Sequence, residues 1–297
     1  MRYKNLKRAN FKVSELSFGC MSLKSDVTEN DKLINKAIDS DINLFDTADL
    51  YEGGENERLL GNALKGKRND ILIATKVGNR MHEDGSGWDW CPEKEYILSA
   101  VDKSLQRLQT DYIDLYLLHG GTINDPTDEV IEAFERLLEQ GKIRAYGISS
   151  IRPNVIREYI EKSNIAAVMT QYSLLDRRPE EETLRLLESN EIGVLARGTV
   201  AGGLLAGKPA KEYLGIPADE IAKIVNAIQS TLPERSVNEK AMRYVMDNTA
   251  ITTAVAGIRT EQQLLDAIAA EKSTSLTAVE LQQLKSIWKG TIYQNHR

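Results

Sequence analysis

Short runs of β-branched residues and leucine alternate with longer amphipathic stretches along the whole chain, an order that predicts repeated strand–helix units and a parallel sheet. Eight strands are expected, at Leu16–Phe18, Asn43–Asp46, Ile71–Lys76, Ile113–His119, Ala145–Ser149, Val168–Gln171, Gly193–Arg197 and Thr253–Ala256. Several are apolar without interruption, as strands covered on both faces must be. Between them Val130, Ile131, Phe134, Leu137 and Leu138 recur at helical spacing, entered through Asp125-Pro126 and stopped at Gly141. Similar stripes at Leu33–Ile38, Ile97–Leu108, Val155–Ile160, Thr183–Leu187, Met242–Met246 and Leu264–Ala269 predict the returning helices. Such units predict an α/β fold closed into a (β/α)8 TIM barrel with parallel strands, plus an additional C-terminal helix over Ala278–Trp288. An open doubly wound sheet is the alternative. It would carry a Gly-x-Gly-x-x-Gly turn after its first strand, where Phe18-Gly19-Cys20-Met21 stands instead.

The 297 residues suit one barrel domain, 1–297, since such barrels take about 250 residues as a unit. Hydrophobic residues at 41% and charged residues at 28% permit a large core under a solvated exterior and exclude the composition of a disordered chain. The formal charge of -6 is spread without a long basic run, which argues against nucleic acid or an anionic membrane and leaves a small molecule as the expected partner. No apolar run is long enough to cross a bilayer, and Met1-Arg2-Tyr3-Lys4-Asn5 opens no signal core, so the cytoplasm is the expected location. Cys20, Cys91, His82, His119 and His296 fall at no metal-ligand spacing, and no metal is expected. No pattern specifies an oligomeric state.

Two stretches exceed the shortest connections of a barrel, Gly78–Cys91 after the third strand and Thr199–Glu234 after the seventh. Loops at strand C-termini build the sites of barrel proteins, so Trp88, Trp90 and Gly202-Gly203 are expected at a pocket or lid, with plain surface insertion as the alternative. Asp46, Lys76 and His119 end the second, third and fourth strands, and Tyr51 follows Asp46 in its loop. Singly, these are a turn acid, a solvated lysine, a loop histidine and a surface ring. Together they bring a carboxylate, an ammonium, an imidazole and a phenol to one rim. A lysine ending the buried run Ile71-Leu72-Ile73-Ala74-Thr75 and an acid ending the neighbouring strand also need one another to avoid an unpaired buried charge.

Phe45-Asp46-Thr47-Ala48-Asp49-Leu50-Tyr51, Ala74-Thr75-Lys76, Asp111 through His119, and Gly141 through Ser149 resemble the signature segments of aldo-keto reductases. The resemblance runs from about Gly19 to Ala270. It implies the (β/α)8 barrel, carbonyl reduction to an alcohol without a metal, and NADPH, or less often NADH, as cofactor. Asp46, Tyr51, Lys76 and His119 are then the catalytic group. Reduction builds negative charge on the substrate oxygen, so Tyr51 is expected to protonate it, with Lys76 drawing the phenol towards ionisation, Asp46 holding Lys76 and His119 orienting the carbonyl. Two alternatives are a nicotinamide-binding subunit with little turnover and an aldolase or hydrolase using Lys76 as a Schiff base.

The same resemblance places the cofactor on the later strands. Ser149, Ser150 and Gln171 stand where the family grips the nicotinamide carboxamide, with Ser150 in place of the usual Asn. Arg197 stands where many members have an aromatic ring, and a guanidinium can stack there too. Gly198 through Lys208, including Val200, resembles the loop around the pyrophosphate, whose glycines allow close backbone approach. After the eighth strand, Gly257 leads to Arg259, expected on a 2′-phosphate, and Thr260 with Gln263 forms an expected capping box. Asp266-Ala267 replaces the family's Glu-Asn, removing an adenine contact.

Overall fold

The eight expected strands close on themselves, which leaves the sheet without an exposed edge, in a computed structural model that describes residues 1–23 and 26–297. A hairpin of β1 (Tyr3–Leu6) and β2 (Phe11–Ser14) precedes the barrel. The barrel itself runs β3 (Leu16–Gly19), β4 (Leu44–Asp46), β5 (Leu72–Val77), β8 (Ile113–Leu118), β9 (Ile143–Ser149), β10 (Ala167–Gln171), β11 (Gly193–Arg197) and β12 (Ile251–Gly257), which pairs back to β3. Every pairing within it is parallel.

The period of two along each strand sorts the core into two bodies. Leu44, Ala74, Leu115, Leu117, Ala145, Met169, Leu195 and Val255 fill the inside, joined from below by Leu6, Phe11 and Val13 of the hairpin. The hairpin is thus the plug of the barrel floor. Phe18, Phe45, Ile73, Tyr116, Leu118, Ile148 and Val168 face outwards to the helices. That outer ring comprises α1 (Val27–Asp39), α2 (Glu55–Ala63), α3 (Lys94–Leu108), α4 (Thr127–Glu139), α5 (Pro153–Lys162), α6 (Thr183–Ser189), α8 (Val237–Met246) and α9 (Glu261–Lys272).

Both long stretches hold more order than loops. Gly78–Cys91 contains an antiparallel hairpin, β6 (Asn79–Met81) with β7 (Trp88–Trp90), and Thr199–Glu234 contains the helix α7 (Ala218–Ser230). The tail helix α10 (Ala278–Ile287) packs beside α7 and ends one residue before Trp288. Arg177 fixes its end by donating to the carbonyls of Lys285 and Trp288, at 3.1 and 2.5 Å. The chain then crosses the rim, burying Tyr293 beneath the Arg178 guanidinium and accepting at the His296 carbonyl from the Asn154 N–H that opens α5.

Candidate active site

Strand parity builds the rim. Asp46 lies two residues beyond inward Leu44, Lys76 beyond Ala74, His119 beyond Leu117, Gln171 beyond Met169, Arg197 beyond Leu195 and Gly257 beyond Val255. The same alternation gives Ser149 beyond Gly147. One layer above the apolar filling, the barrel therefore presents a carboxyl, an ammonium, an imidazole, a hydroxyl, an amide and a guanidinium. The layer is open at Gly257, where no atom lies within 4 Å of where a side chain would begin, whereas its pairing partner Gly19 on β3 packs closely on the Ala256 carbonyl of β12.

Lys76 is wholly buried, among groups that accept from it or carry the opposite charge. Nζ donates to the Thr47 carbonyl at 2.6 Å and to Tyr51 Oη at 3.3 Å, and pairs with Asp46 Oδ1 at 2.8 Å. Burial works to lower its pKa, but Asp46 and Tyr51 outweigh it and hold the ammonium above the ordinary lysine value. That commitment opposes a nucleophilic role for Lys76. Burial raises the Asp46 carboxyl, against the pull of Lys76 and Arg197. Tyr51 departs from expectation: burial raises its phenol above 10, and Lys76 only offsets part of the rise. The phenol keeps its proton, and because Oη accepts from Lys76, that proton is left to point elsewhere.

His119 meets Tyr51 edge-on, with ring centroids 5.8 Å apart and planes at 83°. Burial, then Lys76 and Arg197, push its pKa down to about 3. It is a neutral imidazole at working pH, with Nδ1 buried and without a hydrogen-bond partner. Beside it, Trp90 donates to Asp125 Oδ1 at 2.9 Å, and its ring lies against Gly78 and Gly120. Trp88 is half exposed on the same hairpin.

Sequence spacing does not reveal what sits behind this rim. Glu57, completely buried in α2, takes Arg107 at 2.6 Å and the Thr75 hydroxyl at 2.6 Å. Asp49 lies near both with Oδ1 unpartnered, and burial, reinforced by Glu57 and opposed by Arg107, pushes its pKa up to about 8. Gly54, at φ +89°, closes the turn after Tyr51 so tightly that a methyl there would meet Arg107 at 2.7 Å. Asp49, Glu57 and Arg107 thus brace the segment that carries Tyr51.

On the later strands, where a cofactor is expected from the sequence, Ser149 is half-buried, while the Ser150 hydroxyl accepts from the Arg152 N–H at 3.2 Å. Gln171 Oε1 accepts from Arg197 at 2.8 Å, and its Nε2 donates to Asp176 and Tyr213. The register sets Gln171 beside Arg197. Gly198, Val200 and exposed Lys208 belong to the turn after β11, where Lys208 folds over Gly203 and donates to the Gly202 carbonyl at 3.1 Å. Half of the expected capping box forms: Thr260 accepts from the Gln263 N–H at 3.3 Å, but Gln263 Oε1 takes the Arg259 N–H, at 2.9 Å, rather than that of Thr260. Arg259 borders a cleft of about 230 Å³ between α1 and the start of α9. Asp266 is exposed one turn further on, accepting from Gln262. Among the described residues no cluster of His, Cys, Asp and Glu is placed to hold a metal ion, and no helix is long and apolar enough to cross a membrane.

A parallel barrel whose rim gathers these groups is the architecture of a carbonyl-reducing oxidoreductase, and the chain belongs to the aldo/keto reductase family, whose profile matches residues 15–289. The solved holo form of aldo-keto reductase AKR11C1 from Bacillus halodurans superposes with a TM-score of 0.96 and 47% identity, covering 100% of this chain and 99% of that one. The uncharacterized oxidoreductase YqkF of Bacillus subtilis (strain 168) is 46% identical over the full length of both chains. The NADH-specific methylglyoxal reductase of Escherichia coli (strain K12) is 28% identical over 77% of this chain and 78% of its own.

Proposed function

We propose that this protein reduces aldehydes or ketones to alcohols with NADPH, as one barrel domain of residues 1–297 working in the cytoplasm. The observation that carries the reading is the contact of Lys76 Nζ with Tyr51 Oη at 3.3 Å: an ammonium only donates, so Oη accepts and the Tyr51 hydroxyl proton is left for a substrate oxygen. The nicotinamide cofactor supplies a hydride to the carbonyl carbon. As the oxygen gains charge, Tyr51 donates its proton, and the ammonium already in contact with Oη stabilises the phenolate that remains. Asp46 keeps Lys76 charged. His119, neutral, orients the carbonyl by a hydrogen bond rather than acting as an imidazolium acid.

The chain's residues fit such a cofactor. The open space at Gly257 suits a ligand reaching the rim, and the polar groups of Ser149, Ser150, Gln171 and Arg197 suit a carboxamide and its ring. Gly198, Val200 and Lys208 suit a pyrophosphate. Arg259, just before α9, suits an adenosine 2′-phosphate, which favours NADPH over NADH, and Gln263 and Asp266 on the first two turns of that helix suit the adenosine itself. Loss of NADPH absorbance with a panel of simple aldehydes tests the function. Inertness towards every aldehyde despite tight cofactor binding would instead mark a nicotinamide-binding subunit.

A further inference from the structure

A charged side chain stands at each end of the Gln171 amide, and neither can exchange its part in a hydrogen bond. Arg197 Nη1 lies 2.8 Å from Oε1, and a guanidinium only donates. Asp176 Oδ2 lies 2.9 Å from Nε2, and a carboxylate only accepts. Tyr213, brought over by the long segment after β11, places Oη 3.1 Å from the same nitrogen. Asp176 is itself immobilised. It is completely buried, Arg178 grips its two oxygens at 2.8 and 2.7 Å, and its N–H donates to Ser173 Oγ at 3.0 Å. Turning the amide over would set oxygen against carboxylate and N–H against guanidinium.

Both amide hydrogens of Gln171 are therefore used within the protein. What the half-buried side chain has left to offer on the rim is a lone pair of Oε1. We propose that Asp176 and Arg197 lock Gln171 as an acceptor only, so that the site selects ligands whose carboxamide presents an N–H to β10. The inference rests on the nicotinamide reading above. Ser149, on the adjoining strand, supplies the complementary donor to the carboxamide oxygen; its hydroxyl has no other hydrogen bond among the described residues. Asp176 touches no ligand in this account and is a positioning residue. A glutamine free to turn would accommodate a ligand with a carbonyl and no N–H; a locked one leaves its acceptor unpaired.

The test is calorimetric titration of the protein with NADP⁺ and with its acetylpyridine analogue, in which a methyl group replaces the carboxamide NH₂. Wild type should bind the analogue roughly tenfold more weakly, the effect of one unpaired acceptor. Neutralising both ends, Asp176→Asn with Arg197→Gln, should bring that ratio to about one or two, because either end of the amide can then face the ligand. Tyr213→Phe keeps both charges and should keep the wild-type ratio. A merely structural Asp176 would weaken both ligands together and leave the ratio alone. Equal binding by wild type overturns the inference, as does an unchanged ratio in the folded double variant; should that variant not fold, the wild-type ratio decides. Binding of neither dinucleotide would instead refute the nicotinamide reading itself, and the inference with it.

Discussion

Lys76→Met keeps most of the side-chain length and removes the charge, and the structure sets what this should do. At 2.8 Å and an effective dielectric of about 20, two unit charges attract by about 6 kcal/mol, and desolvation of side chains only 0% and 7% exposed takes back most of it. The pair is thus worth little against an apolar replacement, whereas a lone Asp46 bears its burial uncompensated. Lys76→Met should cost about 3–5 kcal/mol, and Asp46→Leu with Lys76→Met should recover most of that loss. For a chain of this size the single variant should melt roughly 5–15 °C lower at neutral pH. Its deficit should shrink in acid. Without Lys76 the folded-state pKa of Asp46 rises further above its unfolded value, so the native form binds the extra proton and gains stability as pH falls towards about 4. Thermal melts of wild type and the two variants from pH 5 to 8 read all of this. A single variant melting within 2 °C of wild type, or a double variant less stable than the single one, would refute the reasoning (the 2 °C margin being roughly 1 kcal/mol).

Asp49 titrates near 8 when folded, because of burial and Glu57, so the native form holds a proton the unfolded chain gives up near 3.9, and stability declines as pH rises between the two. Asp49→Asn should therefore gain a few kcal/mol on wild type at about pH 9 and nothing at about pH 4 by denaturant unfolding; an equal gap at both would contradict the account. Arg259→Gln should weaken NADPH roughly tenfold and leave NADH unchanged in a binding titration, and equal losses would remove the residue from the 2′-phosphate. Gly54→Ala, at φ +89° and in collision with Arg107, should cost about 1–3 kcal/mol in urea unfolding; a neutral substitution would mean that the turn after Tyr51 is not braced as described.

The barrel is legible because its strands are buried on both faces: all eight expected runs form strands, with ends shifted by at most two residues. Helix α7 has its signal in Ile221, Ile224 and Ile228, overshadowed by the glycine-rich stretch before it. Helix α2 has a poorer one, since it buries Asn56 and Glu57 beside its leucines and so breaks the apolar stripe. The hairpins β1–β2 and β6–β7 rest on strands of four and three residues, too short for alternation to stand out. At the site, Asp46, Lys76 and His119 are readable as strand ends, and parity alone places Gln171 and Arg197 in their layer. Arg107 beside Glu57 is not readable, because 50 residues separate them and only packing unites them. Asp176 and Arg178, two apart, give a faint local sign of a bidentate pair; their tie to Gln171 needs the fold.

The most direct test of the central claim is the turnover of Tyr51→Phe, followed by loss of NADPH absorbance with an aldehyde that wild type reduces. Removing the hydroxyl that accepts from Lys76 and donates to substrate should lower kcat by roughly 10²–10⁴-fold while NADPH affinity stays within about twofold. A variant that turns over within a factor of about five of wild type would show that the proton comes from another group, and the reading of this rim would fall.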